Sequence, residues 1–468
     1  MKFEPHPYQN LAIEFLIQRT IVDQELGAML FLDPGLGKTS CTLAWINIIL
    51  KLGIAKKVLI VAPLKVCYSV WPSEIAKWDQ FRHLTYSIVH GTPEQRMAGM
   101  SRKADIYITN VDGIKWLRSM SKFKKLPFDV IVLDESSKYK TWGSDRTKAL
   151  REIIPQFKHR ICLTGTPCPN GLIQLFPQVF MADNGKALGK TITSFREKYF
   201  YRVGQFYNYK PHANTQAYVE NAIKDVALTL LAKDHLDMPE LVNNDIWVTL
   251  PKKRMAEYKR LEALMFIELA ESEGKSITPK NAGAKYNLCK QYCNGGVYLN
   301  LESGGREIHH LHDLKTDALE DLVDELQGKP VLVGYQYEHD LIRLQRRFKN
   351  LEYINGSVSP KKTNILVDRW NNDDIQILAV QPKSLSHGVN MQSGSGRDVV
   401  WYGLTDDLED YSQFIRRVYR QGVGSQVRNH RILCANTVDV AIRERVDSKE
   451  ATQLSLLQAL SNYRSNMQ

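Results

Sequence analysis

Lys38 and Thr39 close a run, Asp33-Pro34-Gly35-Leu36-Gly37-Lys38-Thr39, between the apolar stretch Met29 to Leu32 and an apolar-periodic stretch reaching Leu50. Strand, tight loop and helix is the order a phosphate-binding loop requires. Gly35 and Gly37 let backbone N–H groups turn toward phosphate oxygens, with Leu36 between them. Lys38 reaches the β- and γ-phosphates of a nucleoside triphosphate, and the Thr39 hydroxyl can ligate Mg²⁺. Leu32 stands where the first glycine of the full pattern belongs, so only GKT matches strictly. The other account is a glycine-rich turn before a helix.

A second candidate ends another apolar run: Asp134 and Glu135 follow Val130, Ile131, Val132 and Leu133. Two carboxylates at the end of a buried strand are costly unless a cation meets them. A Mg²⁺-nucleotide on the loop would do so, Asp134 holding the metal's shell and Glu135 orienting and deprotonating the attacking water. A third candidate is DYSQFIRRVYRQG, where Gln413, Arg417 and Arg420 fall at i, i+4 and i+7. On a helix all three project from one face, and the arginines would stabilise γ-phosphate charge. A basic helix facing solvent or DNA phosphates has the same spacing. Tyr8 and Gln9 offer an aromatic face and an amide suited to adenine, or form a turn that opens a helix.

Positioning these groups requires a particular framework. Short apolar runs at Lys57 to Pro63, Ile106 to Asn110, Phe128 to Glu135 and Arg160 to Pro167 alternate with helical patterns. This predicts βαβ units and a buried parallel sheet, whose carboxyl edge gathers ligands. A second series follows at Pro330 to Tyr335, Tyr353 to Ser357, Ile375 to Pro382, Val399 to Gly403 and His430 to Asn436, without a phosphate loop of its own. From Phe176 to about Gly328 the pattern reads as mostly helical. There Ser194 to Lys210 interleaves arginines, lysines and aromatics, which suits nucleic acid but better suits a helical subdomain with a solvated basic face. Cys289, Cys293, His309, His310 and His312 fit no standard closed zinc spacing. Core cysteines and surface histidines are expected.

The 468 residues suit two domains, and a formal charge of +11 favours a polyanionic partner. Seven scattered cysteines read as reduced thiols. The sequence shows no signal-peptide core and no apolar run of membrane-spanning length, so a cytoplasmic protein without a membrane partner is expected.

In order, PYQ (Pro7 to Gln9), DPGLGKT, VAPLKV (Val61 to Val66), ITN (Ile108 to Asn110), LDESSKYK (Leu133 to Lys140), LTGTP (Leu163 to Pro167), VLVGYQYEHDL, INGS, SLSHGVNMQ (Ser384 to Gln392) and QFIRRVYRQG resemble the two-lobed superfamily-two helicase core. Within it the chain most resembles compact Swi/Snf-type DNA translocases. The resemblance implies an α/β protein of two RecA-like lobes with parallel sheets, helical protrusions being inserted between the core motifs. Lobe 1 would span 1–238, with a protrusion at about 177–238, and lobe 2 would span 239–468, with a protrusion at about 251–327.

It implies a DNA-dependent ATPase using ATP and Mg²⁺. Tyr8, Gln9, Gly35, Leu36, Gly37, Lys38, Thr39, Gly388 and Asn390 would bind nucleotide, Thr39 and Asp134 the metal. Lys38, Asp134, Glu135, Arg417 and Arg420 would be catalytic. Thr164, Thr166 and Gln413 would couple the lobes, and Lys65, Asn110, Gly356, Ser357 and Ser384 would track a DNA backbone. Implied partners are duplex or forked DNA and a nuclease, replication or repair factor, with the protein monomeric in a bacterial or phage-infected cell, or nuclear in a eukaryote. Double-stranded translocation is expected; the alternatives are a fork-remodelling, strand-separating or annealing helicase and a slow nucleotide-gated scaffold. Two departures bear on coupling. Ser136 and Ser137 end the tetrad that usually finishes in histidine, and Arg416 and Tyr419 replace a usual glycine and histidine.

Overall fold

A computed structural model describes residues 1–203, 208–271, 280–300, 306–385 and 389–465. The chain divides into two compact units, Met1–Asp237 with Lys449–Gln468, and Met238–Ser448.

The apolar runs become strands because those at the centre of the sheet are buried on both faces, while the edge strand Tyr86–Ile88 is partly exposed. In the first unit these are β1 (Gly27–Leu32), β2 (Val58–Ala62), β3 (Tyr86–Ile88), β4 (Ile106–Asn110), β5 (Val130–Asp134) and β6 (His159–Thr164). After a hairpin, β7 (Phe200–Val203) and β8 (Asn208–Pro211), comes β9 (Ala227–Leu230). The sheet is parallel in the order β3-β4-β2-β5-β6-β1-β9. Alternate residues feed opposite cores. Met29, Phe31, Leu59, Ile131 and Leu133 enter one, and Leu30, Leu32, Ile60, Val130 and Val132 the other. Register aligns Phe31 with Thr164 and Asp134 with Leu163, so β6 carries its threonines between the phosphate loop and the carboxylates.

The second unit holds β10 (Leu241–Val248), a hairpin of β11 (Gly296–Asn300) and β12 (Arg306–His310), then β13 (Val331–Gly334), β14 (Glu352–Ile354), β15 (Ile377–Val380), β16 (Asp398–Trp401) and β17 (Val427–Cys434). Its sheet is parallel in the order β10-β17-β16-β13-β15-β14.

The mostly helical expectation for 176–328 is corrected in four places. β9 completes the first sheet, β10 the second, and two antiparallel hairpins stand apart. β9 is only four residues long, and β10 is polar in its middle because it lies on an edge, half exposed. Neither leaves the long apolar signature of a central strand. Residues 449–468 group with the first unit, where Leu456 and Leu457 join its core, rather than with the second. Among the described residues no helix is long and apolar enough to cross a membrane. All seven cysteines are buried free thiols.

Candidate active site

The loop between β1 and the helix Lys38–Lys51 takes the shape its glycines permit. Gly35 and Gly37 have φ of +96° and +79°, and Gly37 caps the helix in the left-handed conformation. Any Cβ on Gly37 would lie 2.2 Å from Gln9 Nε2, so the glutamine seats directly on the loop. Gln9 also donates to Leu36 O and accepts from the His6 backbone at 3.0 Å, which fixes its amide. The Lys38 ammonium donates to Leu32 O at 2.7 Å, folded back over the turn, and Thr39 is half-buried. Tyr8 is buried, its ring stacked on the exposed His6 and on the half-buried His235 at 5.3 Å each, so it does not offer the open aromatic face expected of it.

Asp134 ends β5, 8% exposed, and accepts from Trp71 Nε1 at 2.9 Å. Burial raises its carboxyl above the ordinary aspartate range, while Trp71 and the Lys38 charge pull the other way. Glu135 follows with φ of +57°, uncommon for a residue with a side chain. That kink turns the chain from strand into the short helix Ser136–Tyr139. The Ser136 hydroxyl donates to Gln178 Oε1 at 2.9 Å, and Gln178 Nε2 donates to Pro167 O at 2.6 Å. Thr164 Oγ1 accepts from the Thr166 backbone at 3.0 Å within the same loop. A serine–glutamine bridge therefore joins the carboxylate turn to LTGTP through Ser136, the residue before Ser137. Gln178 and Trp71 escaped the sequence reading. The one usable signal was a lone amide inside the apolar run Leu175–Asp183, while nothing marked Trp71.

In the second unit the expectation of one continuous helix through Gln413, Arg417 and Arg420 is corrected. The helix Leu408–Ile415 stops before both arginines, which occupy the following turns. Gln413 donates to Glu409 along the helix. Leaving the helix redirects the guanidiniums toward one segment. Arg417 donates to Val389 O at 3.4 Å and Arg420 to Asn390 Oδ1. Gly388 lies outside the described residues.

Of the residues expected to track DNA, Gly356, Ser357 and Ser384 gather at the carboxyl ends of β14 and β15; a Cβ on Gly356 would meet Ser384 Oγ at 3.9 Å. In the first unit Lys65 is half-buried at the start of the helix Leu64–Tyr68, and Asn110 ends β4 with 8% exposure. The Cys/His cluster divides. Cys289 and Cys293 are core residues, His309 and His310 are exposed, and His312 bonds through Nε2 to Tyr292 O. Cys293 meets Cys434 and Asp439 instead, and the buried Lys315 ammonium, 2.7 Å from Asp439 Oδ2, is the cation there.

The SNF2-related domain family matches residues 8–295, and the helicase conserved C-terminal domain matches residues 314–422. The chain is 36% identical over 479 residues to protein p41 of Acyrthosiphon pisum secondary endosymbiont phage 1, covering 98% of this chain and 99% of that protein. It is 23% identical over 474 residues to YwqA of Bacillus subtilis, covering 97% of this chain but 49% of that one. The chain thus spans nearly all of the phage relative and about half of the bacterial one. A solved Sulfolobus solfataricus SWI2/SNF2 ATPase core in complex with dsDNA aligns at 20% identity and a TM-score of 0.45, covering 100% of this chain and 96% of that one.

Proposed function

Because this chain belongs to the SNF2-related family of helicase-like ATPases, we propose that it is a double-stranded DNA translocase driven by ATP hydrolysis. The observation that carries the reading is the buried Asp134, facing Lys38 beside a loop that Gln9 closes. A carboxylate held in this way is relieved by a bound cation.

The residues fit ATP with Mg²⁺. Gly35, Leu36 and Gly37 offer backbone N–H groups, Lys38 exchanges Leu32 O for phosphate, and Gln9 reads the base edge. Thr39 and Asp134 hold the metal, which neutralises phosphate charge when bound. Glu135 orients the attacking water and takes its proton. Arg417 and Arg420 stabilise charge on the γ-phosphate as an arginine finger does. The Ser136–Gln178–Pro167 bridge carries the state of the carboxylate turn to Thr164 and Thr166, in place of the missing histidine. Lys65 and Asn110 in the first unit, and Gly356, Ser357 and Ser384 in the second, grip the DNA backbone in turn, a sequence-independent and salt-sensitive contact.

The test is ATP hydrolysis by the full chain without nucleic acid and with single-stranded DNA, plain duplex, forked DNA and RNA, at two salt concentrations. Strong stimulation by plain duplex, weakened by salt, supports the translocase. Stimulation confined to forks or single strands replaces it with a remodelling helicase, and stimulation by RNA alone overturns the DNA assignment.

A further inference from the structure

The hairpin β7–β8 has no part in the chemistry above. Its root is firmly held: Phe195 and Phe200 are buried, and Phe195 packs on Phe176 with ring centroids 5.2 Å apart. Beyond the root the strands leave the body. After Phe200, residues Tyr201, Arg202 and Val203 are all exposed, so neither face of β7 is covered. Tyr201 is 47% exposed, and Tyr218, on the helix Thr215–Ile223 that follows the hairpin, is 59% exposed.

Register places Tyr201 opposite Lys210 and Arg202 opposite Tyr209, giving each face one aromatic ring and one cation. The Arg196 guanidinium lies 4.9 Å over the Tyr209 ring, and the Lys198 ammonium 5.0 Å over Tyr199. His212 stands beside Tyr201 with ring centroids 5.5 Å apart. No acidic residue occurs between Glu197 and Glu220. Of this stretch, 204–207 lie outside the described residues.

A two-stranded hairpin is marginally stable by itself, and exposed aromatic side chains on it gain nothing from burial. Open aromatic faces set among cations without acids match the recognition surface of single-stranded nucleic acid, where bases stack on rings and cations follow the phosphates. We propose that the strand residues Phe200–Val203 and Asn208–Pro211, with Tyr218, form a second binding site, which takes single-stranded DNA by stacking bases on Tyr201 and Tyr218 without sequence preference. The proposal rests on the DNA reading above and adds a ligand class that plain duplex tracking does not need. Phe176, against which the root packs, lies two residues before Gln178 on the helix Leu175–Asp183.

The test is fluorescence anisotropy of the full chain with a labelled oligo-dT strand and, separately, a labelled duplex. Tyr201→Ala with Tyr218→Ala should weaken oligo-dT binding by about 30-fold or more, with duplex affinity and duplex-stimulated ATP hydrolysis unchanged. Tyr201→Phe should restore stacking, and Lys210→Ala should lower the salt dependence. Both tyrosines are exposed, so the variants should fold; an unaltered melting transition checks this. Equal oligo-dT affinity in wild type and the double variant overturns the proposal, as does wild type failing to bind oligo-dT. Should duplex stimulate hydrolysis while oligo-dT binding ignores the tyrosines, only the hairpin site falls. Should oligo-dT binding depend on them while no nucleic acid stimulates hydrolysis, the translocase falls and the hairpin site stands.

Discussion

Asp134, at the carboxyl end of β5 in the first unit, and Asp340, in the first turn of the helix Glu338–Arg347 that follows β13 in the second, are both buried aspartates, and burial pushes both carboxyls upward. Their surroundings then diverge. Asp340 accepts from Asn294 Nδ2 at 3.0 Å, from the Gln336 and Tyr337 backbone at 3.2 and 3.0 Å, and from Arg343 Nη2 at 3.0 Å, with His339 Nδ1 at 3.1 Å. That shell overcomes desolvation and holds its carboxyl below the ordinary range. Asp134 has Trp71, the nearby Lys38 and the Glu135 backbone, and burial prevails. One unit surrounds its carboxylate with donors from within; the other leaves fewer around the carboxylate to which the proposed function assigns a cation. Two sheets of the same kind thus hold their buried carboxylates in opposite directions from the ordinary range by how many donors surround each.

Lys38→Ala should reduce ATP hydrolysis to background in a folded protein, because it removes the cation facing both Asp134 and the phosphates. Phosphate release measured beside a circular dichroism spectrum decides this, and unchanged turnover would remove the first unit from the chemistry. Arg420→Ala should spare nucleotide binding and slow hydrolysis by about 1,000-fold; normal turnover would place the finger elsewhere. Asp340→Ala strips the partner from a buried ion network and should cost about 3–5 kcal/mol of stability, read by denaturant unfolding. Because the Asp340 carboxyl is depressed, its contribution is present above the unfolded-state range and fades as pH falls through the folded value, so the penalty should shrink in acid.

Gln178→Ala leaves Ser136 and Pro167 O unpaired and should cost about 1–3 kcal/mol while lowering stimulation of hydrolysis by duplex more than unstimulated hydrolysis. The smallest effect has the opposite sign. Asp134→Asn keeps an acceptor for Trp71 and removes a buried charge, so without nucleotide it should raise the melting temperature at neutral pH even as hydrolysis is lost. The Asp134 carboxyl is raised, so the gain should vanish as pH drops through the aspartate range, where the native residue is protonated too. A melting temperature that falls at neutral pH would break the contrast between the two aspartates.

The phosphate loop was legible because GKT requires local geometry alone: a strand, two glycines at positive φ and a helix. The strand before Lys65 and the strands carrying Asn110, Asp134 and Thr164 were legible from apolar runs with abrupt polar ends. The helix expected through Arg417 and Arg420 was not, since the i, i+4 and i+7 spacing suits a helix whether or not the chain turns off it at Ile415. The core cysteines and surface histidines expected here are found at Cys289, Cys293, His309 and His310, but the partners of that core were not legible. Nearness in sequence brought Cys289 and Cys293 together with His309, while contact across the fold joined Cys293 to Cys434, Asp439 and Lys315.

The sequence by itself determined the two series of parallel strands, the phosphate loop and the placing of charge at strand ends, all of which follow from residue type and short-range period. Tertiary structure decided the partners. It put Trp71 on Asp134, Gln178 between Ser136 and Pro167, Gln9 on Gly37, and the segment at Val389 and Asn390 within reach of Arg417 and Arg420. Each of these joins residues on different elements, and a hydrogen bond depends on a distance that only packing sets.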